Sequence, residues 1–184
     1  MNLSKKTAKE PDKIFSSHRL AVPTLLGTVA FVSTGFLPTP FDKMFVVIQA
    51  LTFALGSLMM ARSGGTYASL INGILLSILR PAFFPFSLIF SLFYGLLIDG
   101  FFQVFRVNKD NHVKGARLII SLALGTAITG LLSMYLTTII GLMPMAPILY
   151  SAVLATGILN GVAAGYLTLL IWNKYVARRI QGIT

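Results

Sequence analysis

The chain has 184 residues, of which 55% are hydrophobic and 11% charged, with a mean hydropathy of +0.81 and a formal net charge of +10 at pH 7. A soluble domain carries about 25% charged residues because water must wet its surface, so this composition excludes a water-soluble globule. Cysteine is absent, which excludes disulfides, iron–sulfur clusters and thiolate zinc sites.

Residues 1–17 are polar, with Lys5-Lys6, Glu10-Pro11-Asp12 and Ser16-Ser17, and read as a basic cytoplasmic tail. Charge-free runs follow at Leu20–Phe41, Met44–Ala61, Ser63–Leu79, Pro81–Ile98 and Leu118–Asn173. The first four each have roughly the 17 to 25 residues with which a helix crosses about 30 Å of hydrocarbon. The fifth has 56 residues and is broken by Met143-Pro144-Met145-Ala146-Pro147, because proline removes a backbone donor and ends a helix. The runs are continuously apolar rather than alternating, which favours helices over a β-barrel. The first run starts near residue 20, behind a basic tail and without a small-x-small cleavage site, and so does not read as a cleaved signal peptide. The sequence thus predicts an all-α, polytopic membrane protein. Its spans are expected at about 20–37, 44–61, 64–79, 84–105, 117–142 and 147–172, forming one transmembrane domain over 18–175 with a short tail at 176–184.

This span count sorts the basic residues. One side receives Lys5, Lys6, Lys9, Lys13, Arg19, Arg62, Arg106, Lys109, Lys114, Arg117, Lys174, Arg178 and Arg179, and the other only Lys43 and Arg80. That split of 13 to 2 is the positive-inside pattern and places both termini in the cytoplasm. It also assigns the net charge to the lipid bilayer surface rather than to nucleic acid.

Small residues recur at four-residue spacing on three spans: Gly65, Ser69, Gly73 and Ser77; Gly157, Gly161 and Gly165, flanked by Ala164; and Ala50 with Ala54. Each set lines one helical face and lets another backbone approach. Such faces serve either packing inside the bundle or docking of a partner subunit, with Ala50 and Ala54 the best candidates for docking.

Catalytic constellations are missing. The histidines, His18 and His112, fall outside the spans, no Walker-type phosphate loop is present, and no cluster has metal-ligand spacing. Ser63-Gly64-Gly65 beside Arg62 reads as a turn rather than a phosphate site. Neither enzyme activity nor a cofactor or metal is expected. Of five carboxylates only Asp99 lies within a hydrophobic segment, where it is expected to pair with Arg62 or Arg106. Polar side chains at membrane depth are costly to bury and tend to face a cavity or a partner. Gln49, Asn72, Arg80, Tyr135 and Asn160 are therefore candidates to bind a neutral or anionic small molecule entering from outside. Each has a structural alternative. Asn160 could bond a neighbouring helix, Arg80 could reach outer headgroups, and Tyr150 fits an interfacial aromatic belt.

The stretch Ala61-Arg62-Ser63-Gly64-Gly65-Thr66-Tyr67-Ala68-Ser69-Leu70-Ile71-Asn72-Gly73 continues through Pro81 and Pro85 to Leu92-Phe93-Tyr94-Gly95-Leu96-Leu97-Ile98-Asp99-Gly100. With Gly157-Ile158-Leu159-Asn160-Gly161 and Gly165-Tyr166-Leu167, it resembles the substrate-binding S component of energy-coupling factor (ECF) transporters over most of residues 20–175. The resemblance implies a six-helix subunit that captures a vitamin or vitamin precursor from outside. It also implies a transmembrane T component and two cytoplasmic ATPases as partners. Its style is nearest to the hydroxymethylpyrimidine/thiamine type, and the Met-His amino terminus of metal-binding members is absent. That family docks through small residues on its first span, where this chain offers Ala30 and Thr34. The alternative from the residues alone is a non-catalytic accessory subunit of a larger membrane complex.

Overall fold

The computed structural model describes residues 12–36, 46–60, 63–109, 112–141 and 146–176, with the side chains of 12–19, 83, 109 and 112 left aside. Lys43, Arg62, Met143-Pro144-Met145 and the basic residues of both tails before Asp12 and after Val176 lie outside the described residues.

Six helices follow one another: α1 Asp12–Gly35, α2 Val46–Met60, α3 Gly64–Leu79, α4 Phe86–Val104, α5 Gly115–Ile139 and α6 Pro147–Ile171. A 3-10 turn at Pro81–Phe83 leads into α4, and a π turn at Trp172–Val176 ends α6. The described residues hold one further regular element, an antiparallel ladder between α4 and α5. It is formed by Asn108–Lys109 (β1) and His112–Val113 (β2), two residues each.

The helix ends follow from local chemistry. α5 stops where Gly141 adopts φ 80 and its N–H bonds the Thr138 carbonyl at 3.0 Å, a left-handed cap that suits glycine. α6 starts with Pro147 in its first turn, where the missing N–H costs nothing. α1 begins at Asp12, inside the stretch expected as a polar tail, because no proline or glycine interrupts the chain from Lys13 to Val22.

α4, α5 and α6 are long and apolar enough to cross a membrane. α2 and α3 have 15 and 16 residues. At about 1.5 Å per residue they reach only about 22–24 Å, short of a full hydrocarbon layer. The apolar part of α1 within the described residues, Leu20–Gly35, is similarly short.

The buried core sits toward one end of the bundle. Phe53, Leu55 and Leu58 of α2, Ala68 of α3, Ile98 and Phe102 of α4, Leu118 and Leu122 of α5, and Ala164 and Trp172 near the close of the chain pack together there. Val107, just before the ladder, closes the same cluster with no exposed surface. Arg106, Lys114, Arg117 and Lys174 belong to this end, which is called the basic end below.

Backbones approach closely in the core. A methyl group on Gly64 would run into the Gly56 carbonyl, so α2 and α3 cross there only because both residues lack a side chain. Gly157, Gly161 and Gly165 lie against the α5 backbone at Ala127, Ala123 and Ile119, making α5–α6 the most extensive helix pair. The third-span stripe faces α4 in the same way: Gly95 rests on Ser69, and Gly73 on Leu88 and Ser91. Both stripes therefore pack the bundle internally. Ala50 and Ala54, expected as a docking face, have no exposed surface either, because the α2 face that carries them points into the core. Ala30 is likewise fully buried, on the side of α1 that meets α3 through Gly27 and Ala68. These three positions are corrected from docking surface to interior.

Asp99 is 4% exposed and caps α3 from the neighbouring helix. Its Oδ1 accepts the Gly65 N–H at 3.1 Å, and its Oδ2 accepts the Thr66 N–H at 2.7 Å and the Thr66 hydroxyl at 2.6 Å. The first N–H groups of a helix have no partner within it and carry partial positive charge, so a carboxylate satisfies both needs. Among the described residues these bonds, rather than an ion pair with Arg106, hold Asp99. Arg106 is exposed beyond the end of α4, and Arg62 lies outside the described residues.

Candidate functional site

At the end opposite the core the helices part around a cavity of about 490 Å³. It is reached by the close of α1 (Thr34), the start of α2 (Val46, Gln49) and the close of α3 (Leu76, Arg80). The first half of α4 (Ser87 to Tyr94), the second half of α5 (Thr126 to Thr137) and the first half of α6 (Leu149 to Asn160) complete it. All six helices thus contribute from the same end, as an up-and-down bundle with alternating direction requires.

The wall is rich in uncharged polar groups. Along α5, Thr126, Thr129, Ser133 and Thr137 recur at spacings of three and four and so share one face. Most hydroxyls of the bundle are satisfied by their own helix: Thr126 Oγ1 donates to the Leu122 carbonyl at 2.8 Å and Thr137 Oγ1 to the Ser133 carbonyl at 2.9 Å. Tyr94 completes the first of these by sharing a 2.8 Å hydrogen bond with Thr126 Oγ1. Thr129 differs. Its Oγ1 is buried and has no hydrogen-bond partner, an arrangement that costs free energy.

Arg80 stands at the mouth. It caps α3, its backbone N–H bonding the Leu76 carbonyl, and its Nη2 donates to the Gly35 carbonyl at 3.0 Å, tying α3 to the close of α1. Among the described lining residues it is the one cation. The described residues contain no group of His, Cys, Asp and Glu that could hold a metal.

Three of the five polar residues singled out from sequence, Gln49, Arg80 and Asn160, meet at this cavity. Asn72 and Tyr135 do not. Asn72 is fully buried on the α3 face toward α4, where its Nδ2 donates to Ser91 Oγ at 2.8 Å and Ser91 Oγ donates to the Ser69 carbonyl at 2.7 Å. It braces the wall from behind, through a serine that lines the cavity. Tyr135 is 51% exposed, since two residues from Ser133 at about 100° each turn it to the outside of α5. Thr34, expected at a docking surface, lines the cavity mouth instead. Tyr150 hydrogen-bonds Thr138 Oγ1 at 3.2 Å, joining α5 and α6.

The hydroxyls of α4 and α5 are the lining groups that sequence reasoning missed. In a membrane helix a serine or threonine can bond its own preceding turn, so its presence alone signals little. The spacing of Thr126, Thr129, Ser133 and Thr137 was the available clue.

No family model, curated protein or solved structure matches this chain.

Proposed function

We propose that this chain is the substrate-capture subunit of an ECF-type uptake transporter. In this reading it spans the cell membrane six times with both termini in the cytoplasm, and binds a vitamin or vitamin precursor in an outward-facing pocket. The observation that carries it is the cavity: about 490 Å³, mainly apolar in surface with hydroxyl, amide and guanidinium groups set into it, at the end opposite the basic end. That volume lies within the range of about 300–1,000 Å³ of small-molecule sites. The positive-inside distribution turns the same end outward. The short α2 and α3 would cross with the help of their flanking turns and local thinning of the bilayer. Energy would come from a T component and two ATPases, since the sequence carries no phosphate loop of its own.

The test is native mass spectrometry of the chain purified from membranes, together with uptake in cells that co-express it with T-component and ATPase partners. One small molecule retained per chain, lost in the Gln49→Ala/Asn160→Ala double variant, and ATP-dependent uptake are expected. A chain that retains nothing and supports no uptake overturns capture and leaves an accessory subunit.

A further inference from the structure

The cavity wall is more apolar than polar, with Phe90, Met134, Leu149 and Val153 among its lining side chains. Most of its hydroxyls are committed to the protein. Ser91 Oγ donates to the Ser69 carbonyl at 2.7 Å, Thr156 Oγ1 donates to the Ala152 carbonyl at 2.8 Å, and the Thr126 hydroxyl bonds both Leu122 and Tyr94. Arg80 is engaged too, with the Gly35 carbonyl and in a further interaction besides. Gln49 differs. It lines the cavity from the first turn of α2, half-buried, and among the described residues no hydrogen bond holds its side-chain amide. An ion entering this space would give up more hydration than committed hydroxyls can replace. A neutral amide gives up less, and Gln49 can return it. The Gln49 carboxamide carries an acceptor and two donors, and so pairs with a donor and an acceptor set side by side on one ligand edge.

We infer that Gln49 determines the specificity of the cavity. It selects an uncharged molecule with an apolar body and an amide-type edge, whose C=O and N–H bond the Gln49 side chain together. A carboxylate offers acceptors only and an amidinium donors only, so either leaves half of the Gln49 amide unanswered. This rests on the capture reading and narrows its substrate class.

The chain contains no cysteine, so Ser133→Cys places a single thiol in the cavity wall. Its modification by uncharged methyl methanethiosulfonate is timed on the full chain at neutral pH, with benzamide, benzoate or benzamidinium present. These probes share one shape and differ in charge and in donor–acceptor pattern. Benzamide is expected to protect the thiol at about tenfold lower concentration than either ion, the scale of one hydrogen bond. N,N-Dimethylbenzamide, neutral but without the N–H, should lose that advantage. Gln49→Ala should raise the protecting concentration of benzamide about tenfold, and Gln49→Glu should move the preference to benzamidinium. Equal protection by all probes, better protection by an ion with Gln49 intact, or a thiol that the reagent does not reach overturns the inference. So does a benzamide preference that survives Gln49→Ala. Should the Gln49 variants fail to fold, the ranking with Gln49 intact, dimethylbenzamide included, decides alone. A chain that supports no uptake would remove the capture reading while leaving this ranking intact, so the two failures are separable.

Discussion

At the basic end the helices touch backbone to backbone, Gly56 on Gly64 and Gly161 on Ala123, whereas at the other end they stand apart around about 490 Å³ of space. The large buried side chains of α2 and α4, Phe53, Ile98 and Phe102, sit with the first group. Arg80 and the lining hydroxyls of α4 and α5 sit with the second. In a bilayer, lipid tails are as apolar as the helices, so association depends on close packing and interhelical hydrogen bonds. One half of this bundle supplies both. The other half is thereby released from packing and can keep a space open.

The sharpest way to break this comparison is to put a side chain where two backbones meet. Gly64→Leu would drive into the Gly56 carbonyl and should cost about 3 kcal/mol or more. Gly100→Leu, with nothing within 4 Å of its added carbon, should be nearly neutral in the same thermal unfolding series in detergent. Equal effects would show that the basic end is not tightly packed. Next in size, Asp99→Ala strips three hydrogen-bond donors of their acceptor and should cost about 2 kcal/mol in the same assay. Tyr94→Phe, between the two halves, removes one hydrogen bond to Thr126 and should cost about 1 kcal/mol. Smallest for the empty bundle is Thr129→Val. It removes a buried hydroxyl that has no partner, so stability should hold or rise by a few tenths of a kcal/mol. A stability loss at Thr129 as large as at Tyr94 would mean that its hydroxyl has a partner in the folded bundle.

Helix positions were largely legible because charge-free runs and prolines mark them: the span expected at 64–79 is α3 at Gly64–Leu79, and that expected at 147–172 is α6 at Pro147–Ile171. Candidate site residues were legible only by depth. Gln49, Asn72, Arg80, Tyr135 and Asn160 carry the same signal, a polar group in an apolar run. What separates Asn160 from Asn72 and Tyr135 is rotational phase against neighbouring helices, which a span's own composition does not encode. The partner of Asp99 was missed for a related reason. Among the described residues the positive charge it answers belongs to the backbone N–H groups of Gly65 and Thr66, which no side chain announces.

The position of that clasp has a mechanical consequence. Asp99 fixes the first turn of α3 to α4 at Gly65 and Thr66, while Arg80 lies at the other close of the same helix. A rigid rod pinned at one extremity magnifies small rotations at its tip. With a length of about 24 Å, a tilt of about 10° about the Asp99 contact carries the guanidinium through about 4 Å. The Asp99 clasp would thus act as a fulcrum, and the aperture of the cavity would be governed from its far end.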